Sequence, residues 1–256
     1  MRRLPALSIT ILLAVAGPSA FAGTVPPDSF VSALADPRRD EPARKLDDSR
    51  KPAEVLAYLG LEEGMRAADI MTGSGYWAEI MASVVGPEGK VTAFEPEQFY
   101  KSPEEQVKWK AIVAGWPEVE WVRYPFEAFS AAPGSFDFAI INLSYHDLYW
   151  ESEKFGIPRS DPDAFVSALF AAMRPGGIVG IVDHVGLPGD TRAIVDKLHR
   201  IDPATVKRDF ERAGFVLEDA SELLANPEDD HTKLVFDPAV RFKTDRFVYR
   251  FRKPKG

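Results

Sequence analysis

Residues 66 to 85 read RAADIMTGSGYWAEIMASVV, from Arg66 to Val85. Arg66 to Met71 reads as a strand that ends in a turn. Gly73 and Gly75 let the backbone bend sharply and approach a ligand with no Cβ in the way. Trp77, Ile80, Met81, Val84 and Val85 then recur at helical spacing and predict an amphipathic helix that stops at Gly86. Strand, glycine turn and helix make a βα unit.

The same alternation extends in both directions. Pro52 opens a helix that carries Val55, Leu56 and Leu59 and ends at Gly60. Strands are predicted at Val91 to Phe94, Val119 to Tyr124 and Phe136 to Leu143. The last of these, FDFAIINL, is apolar enough to be covered on both faces. A helix lies around Trp109 to Val113, and another is capped by Asp161-Pro162. Arg174-Pro175-Gly176-Gly177 then turns the chain into a strand at Ile178 to Val182. Asp202-Pro203 opens a further helix that stops at Gly214, and strands at Phe215 to Leu217 and Phe247 to Phe251 close the series. The expectation is an α/β, Rossmann-like, doubly wound domain over residues 52–256, with a mostly parallel seven-stranded sheet and helices on both faces. Residues 23–51, rich in proline and charge, form an N-terminal arm of short helices. The basic strip from Arg241 to Lys255 reads as a solvated edge.

In such a sheet the ligand lies beyond the carboxyl ends of the strands, where their order reverses. The residues there are Asp69, Thr72, Gly73, Ser74 and Gly75 after the first strand, Glu95 after the second, Asn142 to Asp147 after the fourth, and Asp183-His184 after the fifth. The helix that follows the glycines offers free N–H groups to an anion, and Glu95 is placed to accept two hydrogen bonds from a ribose. This describes a nucleoside site. Gly73-Ser74-Gly75-Tyr76-Trp77-Ala78 also satisfies the dinucleotide fingerprint, so NAD is an alternative. Tyr76 and Trp77 crowd the place of a pyrophosphate, however, and Asp69 suits a cationic amino-acid tail.

With Asp69-x-x-x-Gly73-x-Gly75, Glu95, FDFAIINL and MRPGG in hand, the chain resembles the class I S-adenosylmethionine (SAM)-dependent methyltransferases over roughly residues 52–253. Within them, TGSGYWAEIMA, NLSYHDLYW, GIVDH, LHRIDPATV and TDRFVYRFRKP resemble a group of exported proteins described as predicted methyltransferases. The resemblance implies SAM as cofactor, with Gly73 and Gly75 in contact with it, Asp69 near its amino-acid end, Glu95 on the ribose, and Thr72, Ser74 and Asn142 beside them. Two departures stand out. Met71 occupies the position of the motif's first glycine, and no acid for the adenine amino group follows the third strand, where Phe126 is the candidate for stacking.

Methyl transfer needs alignment first and a base only where the acceptor must lose a proton. His146 and His184 follow adjacent strands, and Asp183 can orient an imidazole, so these three are the catalytic candidates; the competing reading of each histidine is a structural hydrogen bond to a nearby loop. Tyr145 is placed to close over a substrate, His199 to reach the same face, and His231 to lie in a surface loop or lid. Asn142-Leu143-Ser144-Tyr145 echoes the N-P-P-Y motif of amino methyltransferases without either proline. Asp183, His184, His146 and Asn142 were weighed as a divalent metal site. They lack the oxygen-rich set that magnesium prefers, and no metal is expected.

Arg2-Arg3, the apolar run Leu4 to Ala16 and Ala20-Phe21-Ala22 form a signal peptide over residues 1–22, too short to span a bilayer, with cleavage expected after Ala22. Its loss removes two arginines and no acid, taking the formal net charge from −8 to −10. So acidic a protein is a poor partner for a phosphate backbone, which draws on clustered Lys and Arg. The expected partner is a small-molecule substrate, with no nucleic acid and no stable membrane insertion, in the periplasm or outside the cell. With no cysteine, disulfides and thiolate chemistry are excluded. Because SAM is made in the cytoplasm, a non-catalytic ligand-binding protein on the same fold is the main alternative to a methyltransferase.

Overall fold

The computed structural model describes residues 30–256; the expected signal peptide, residues 1–22, and the first part of the expected arm lie outside the described residues. Seven strands form one sheet: β1 (Arg66–Ile70), β2 (Lys90–Pro96), β3 (Val119–Tyr124), β4 (Phe136–Asn142), β5 (Met173–His184), β6 (Val216–Ser221) and β7 (Arg246–Arg252). Their order is β3-β2-β1-β4-β5-β7-β6. β1 to β5 pair in parallel, and β7 enters antiparallel between β5 and β6. The order reverses between β1 and β4, so a cleft opens at their carboxyl ends.

Strand periodicity sorts the core into two layers. Ala67, Val91, Phe138, Ile140 and Val182 face one side, with α4 (Pro52–Leu59), α5 (Tyr76–Val85) and α6 (Pro103–Gly115). Ala68, Ile70, Phe94, Ala139, Ile141 and Ile181 face the other, with α7 (Pro162–Ala172) and α9 (Pro203–Ala213). Adjacent strand residues point to opposite faces, which is why FDFAIINL needs no polar positions. Three short helices, α1 (Val31–Ala35), α2 (Glu41–Arg44) and α3 (Asp47–Arg50), precede α4, and Phe30 and Ala33 enter the first layer.

Helix ends follow local chemistry. Ser102 and Glu105 form a reciprocal capping box on α6, Asp161 and Asp202 cap α7 and α9, and Gly214 ends α9 at φ +104°. The MRPGG turn is a bulge inside β5, since Met173 pairs with Phe136 but Ile178 already pairs with Phe138. Two elements were not anticipated: α8 (Thr191–Leu198), capped by Asp190, and a 3-10 helix at Tyr145–Tyr149.

The basic strip is a solvated edge only at its ends, where Arg241, Lys243 and Lys255 are exposed; inside β7 it is not. β7 lies between two strands, and its period of two places Phe247, Tyr249 and Phe251 on one layer and the arginines on the other. Arg246 and Arg250 are only 8% and 5% exposed. Arg250 donates to the Tyr58 carbonyl at 2.7 Å, and Arg252 grips Glu218 through two hydrogen bonds of 2.7 and 2.8 Å. Among the described residues no helix is long and apolar enough to cross a membrane.

Candidate functional site

Two cavities meet at the reversal of strand order. The first, of about 490 Å³, is lined by Asp69, Met71, Thr72, Gly73 and Ser74 from the turn after β1, by Glu95, Phe99 and Tyr100 after β2, by Asn142 to Ser144 after β4, and by Arg50 from α3. The second, of about 500 Å³, holds His146, His184, His199, Trp150, Phe242, Thr244 and Arg246. Arg50, Phe99, Leu143, Asp147 and Phe236 belong to both, so the cavities share a wall.

In the first cavity, Gly73 sits at φ +61° and donates its N–H to Glu95 Oε2 at 2.6 Å, which fixes the turn against the end of β2. Burial raises the Glu95 carboxyl to about 8 in spite of that bond, and raises Asp69 to about 7 in spite of hydrogen bonds from the Thr72 hydroxyl and the Ala78 amide. Both are desolvated carboxylates without an ion-pair partner among the described residues. Arg50 packs its guanidinium 4.3 Å over the Tyr76 ring and likewise has no carboxylate within ion-pair distance there; burial lowers its pKa.

Of the residues expected to hold a cofactor, Asp69, Thr72, Gly73, Ser74, Glu95 and Asn142 line this cavity. Gly75 does not. It turns away at φ +83°, where a Cβ would come within 2.7 Å of Ile112 and 3.3 Å of Trp109, so its role is to let α5 start against α6. Met71 adopts φ +53°, the left-handed backbone that the missing glycine would have taken, and Leu143 mirrors it across the cleft at φ +55°. Each such conformation costs on the order of 1–3 kcal/mol in a non-glycine residue. Phe126 is not available for adenine. It is fully buried behind Phe99, at 5.4 Å between ring centres, and Phe99 with Tyr100 faces the cavity instead.

In the second cavity the 3-10 helix after β4 carries His146 and Asp147. Asp183 is completely buried and lines neither cavity. It accepts the His146 amide at 2.9 Å and meets His146 Nδ1 at 2.8 Å, so it is a positioning residue for the imidazole. Burial works to lower the His146 pKa, but Asp183 and Asp147 outweigh it and hold the ring near 9. His184 meets Thr244 Oγ1 at 2.7 Å through Nδ1, and burial drives its pKa down to about 3. The two rings stand 5.9 Å apart. Arg246 donates to the Ser49 carbonyl at 2.7 Å but leaves its buried Nε without a partner; burial and Arg50 bring its pKa to about 10.

Tyr145 does not close over a substrate: it is buried under α9 and donates to Asp209 at 2.9 Å. His231 meets Asp245 at 2.9 Å, outside both cavities, and next to it Arg200 is fully buried in a two-bond pair with Asp229. The weighed set of Asp183, His184, His146 and Asn142 does not converge. Asn142 faces the first cavity and Asp183 neither. Arg50, Phe99, Tyr100 and Phe236 are site residues that the sequence reading passed over. Asp147 lay within the segment after the fourth strand, and the one signal for Phe99-Tyr100 was adjacency, since they follow Glu95 by a few residues.

This sheet order, with its reversed seventh strand and a cavity at the first glycine turn, is the class I SAM-dependent methyltransferase fold. A SAM-dependent methyltransferase from Aquifex aeolicus superposes with a TM-score of 0.57 at 19% identity, covering 89% of this chain and 98% of that one. The 1,6-didemethyltoxoflavin-N1-methyltransferase of Burkholderia thailandensis, with 1,6-didemethyltoxoflavin and S-adenosylhomocysteine bound, does so at 0.51 and 20% identity over 89% and 87%. The [4+2]-cyclase SpnF reaches 0.58 at 15% identity over 89% and 94%. Residues 48–114, which contribute the first cavity's turn and the end of β2, match the family model of protein-L-isoaspartate(D-aspartate) O-methyltransferase. No curated protein sequence matches the chain.

Proposed function

We propose that the chain is a SAM-dependent methyltransferase acting on a small-molecule acceptor. The observation that carries this reading is the shared wall: a nucleoside-type cavity and a second, aromatic-lined cavity lie side by side, with Leu143 and Asp147 lining both. Methyl transfer requires a donor and an acceptor in line across such a junction.

The residues of the first cavity fit SAM. Asp69, buried and without a cation, suits the α-ammonium; Arg50 suits the carboxylate; Glu95, with one oxygen on Gly73 N and one remaining, suits the ribose; Phe99 and Tyr100 offer faces for adenine. When bound, SAM supplies an electrophilic methyl on a sulfonium, whose C–S bond breaks with its electron pair left on sulfur. The protein's part is to orient and to exclude water. Phe99, Leu143 and Phe236 wall off the junction. His146, held by Asp183, and His184, held by Thr244, face the acceptor cavity; the charged His146 ring can donate a hydrogen bond to the acceptor, and the neutral His184 ring can take one from its hydroxyl or amine. The aromatic lining beside Arg50, Arg241 and Arg246 suits a flat acceptor with an anionic edge. We further propose that residues 1–22 direct export.

Incubating the protein with methyl-labelled SAM and a panel of aromatic acids, phenols and amines, followed by mass spectrometry, tests this. Transfer to at least one member, reduced in Glu95→Gln and in Arg246→Met, is the expected result. SAM binding with no transfer to any member would count against the acceptor assignment.

A further inference from the structure

The second cavity contains a set of donors, His146, Asp147 and His199, of which the methyltransferase reading uses only His146. Asp147 Oδ1 stands 3.4 Å from His146 Nε2 and 3.7 Å from His199 Nδ1, and the three ligand atoms lie within 4.8 Å of one another. They come from two separate elements, the 3-10 helix and the end of α8, where His199 is held at φ +49°. We propose that His146, Asp147 and His199 bind a divalent transition-metal ion at the wall between the two cavities.

Bonds of roughly 2.0–2.2 Å arranged as a tetrahedron set ligand atoms roughly 3.3–3.6 Å apart. Both measured separations to Asp147 are close to that before any ion is present. His146 carries the outer hydrogen bond that metal-bound imidazoles commonly make, through Nδ1 to the fully buried Asp183 at 2.8 Å. Trp150 and Phe236 pack on the His199 ring at 5.1 and 5.3 Å and give the set an apolar flank. Two imidazoles and one carboxylate suit zinc, iron(II) or cobalt(II) rather than magnesium or calcium. Three protein ligands leave a position open toward the acceptor cavity. There Arg50 and Arg246 favour an anionic oxygen, so the ion would fix an acceptor carboxylate or phenolate. His146 would then serve as a ligand, leaving His184 as the imidazole that meets the acceptor directly.

This inference rests on the acceptor cavity alone and is separable from the SAM assignment. Chelator-stripped full-length protein is titrated with cobalt(II), followed by its visible absorption bands, and zinc content is measured by elemental analysis after dialysis. S-adenosylhomocysteine binding is measured on every sample as a check on the first cavity. One ion per chain is expected, with intense tetrahedral-type bands, reversed by chelator. His199→Ala and Asp147→Asn should each lower affinity at least ~10-fold, and the positioning variant Asp183→Asn by ~10–100-fold. Cobalt binding that is absent, or unchanged in both His199→Ala and Asp147→Asn, would overturn the proposal. Nucleoside binding that fails while cobalt binding survives would instead count against the SAM reading.

Discussion

Glu95, at the end of β2, accepts the Gly73 amide at 2.6 Å and so joins the second strand to the turn that follows the first. The same carboxylate therefore shapes the turn and faces the cavity. Glu95→Gln keeps the shape but gives up a charge-assisted acceptor. It should weaken SAM binding by about 1–3 kcal/mol while lowering stability much less. Calorimetry and thermal melting on the variant check this; equal SAM affinity in both proteins would remove Glu95 from the site.

The raised carboxyls give the ligand-free protein a defined pH dependence. Asp69 and Glu95 bind protons more tightly folded than unfolded, with ordinary values of 3.8 and 4.5 against about 7 and about 8. Stability without ligand should fall as pH rises through that window, because ionising either group in the fold is unfavourable. A cationic ligand reverses the preference of Asp69. SAM affinity should therefore increase from about pH 6 to about pH 8, with net proton release. Melting curves and calorimetry in buffers of different ionisation enthalpy measure both; a flat melting temperature together with a pH-independent affinity contradicts the assignment.

Gly75 separates packing from binding. A Cβ there meets Ile112 at 2.7 Å in a backbone conformation that L side chains rarely adopt. Gly75→Ala should cost about 1–3 kcal/mol of stability through strain at α5, with the protein that remains folded binding SAM nearly as well as wild type. A stable variant that no longer binds SAM would place Gly75 in the cavity after all.

For the leader, intact mass of the protein purified from a secreting host should correspond to a chain beginning at Gly23, after loss of residues 1–22. A soluble product that still carries Met1 to Ala22 would contradict export by this route.

The fold was legible because its strands are buried on both faces and its helices are punctuated by Pro, Asp and Gly. FDFAIINL and Asp202-Pro203 leave little room for another reading. The first cavity was legible for the same reason, since the glycine turn and Glu95 sit at fixed offsets from strands. Tertiary placement was not. Gly75 and Phe126 could be recognised as packing residues only once α6 and Phe99 were in place. The arginines of β7 read as a surface strip because charge alone does not reveal that two strands flank them. Arg50 and Phe236 reach the site from segments far along the chain, on α3 and in the loop before β7, where local pattern carries no information about the cleft. Asp183 was legible as a residue that can orient an imidazole, but not which one: the ring it holds is that of His146, from outside both cavities.

The most direct test of the central claim is titration calorimetry of the purified protein with SAM, S-adenosylhomocysteine and NAD, each alone. The structure predicts one site per chain for SAM and S-adenosylhomocysteine and no binding of NAD, whose pyrophosphate would have to lie where Tyr76 and Trp77 are buried. Saturable NAD binding with no heat from either SAM or S-adenosylhomocysteine would contradict it.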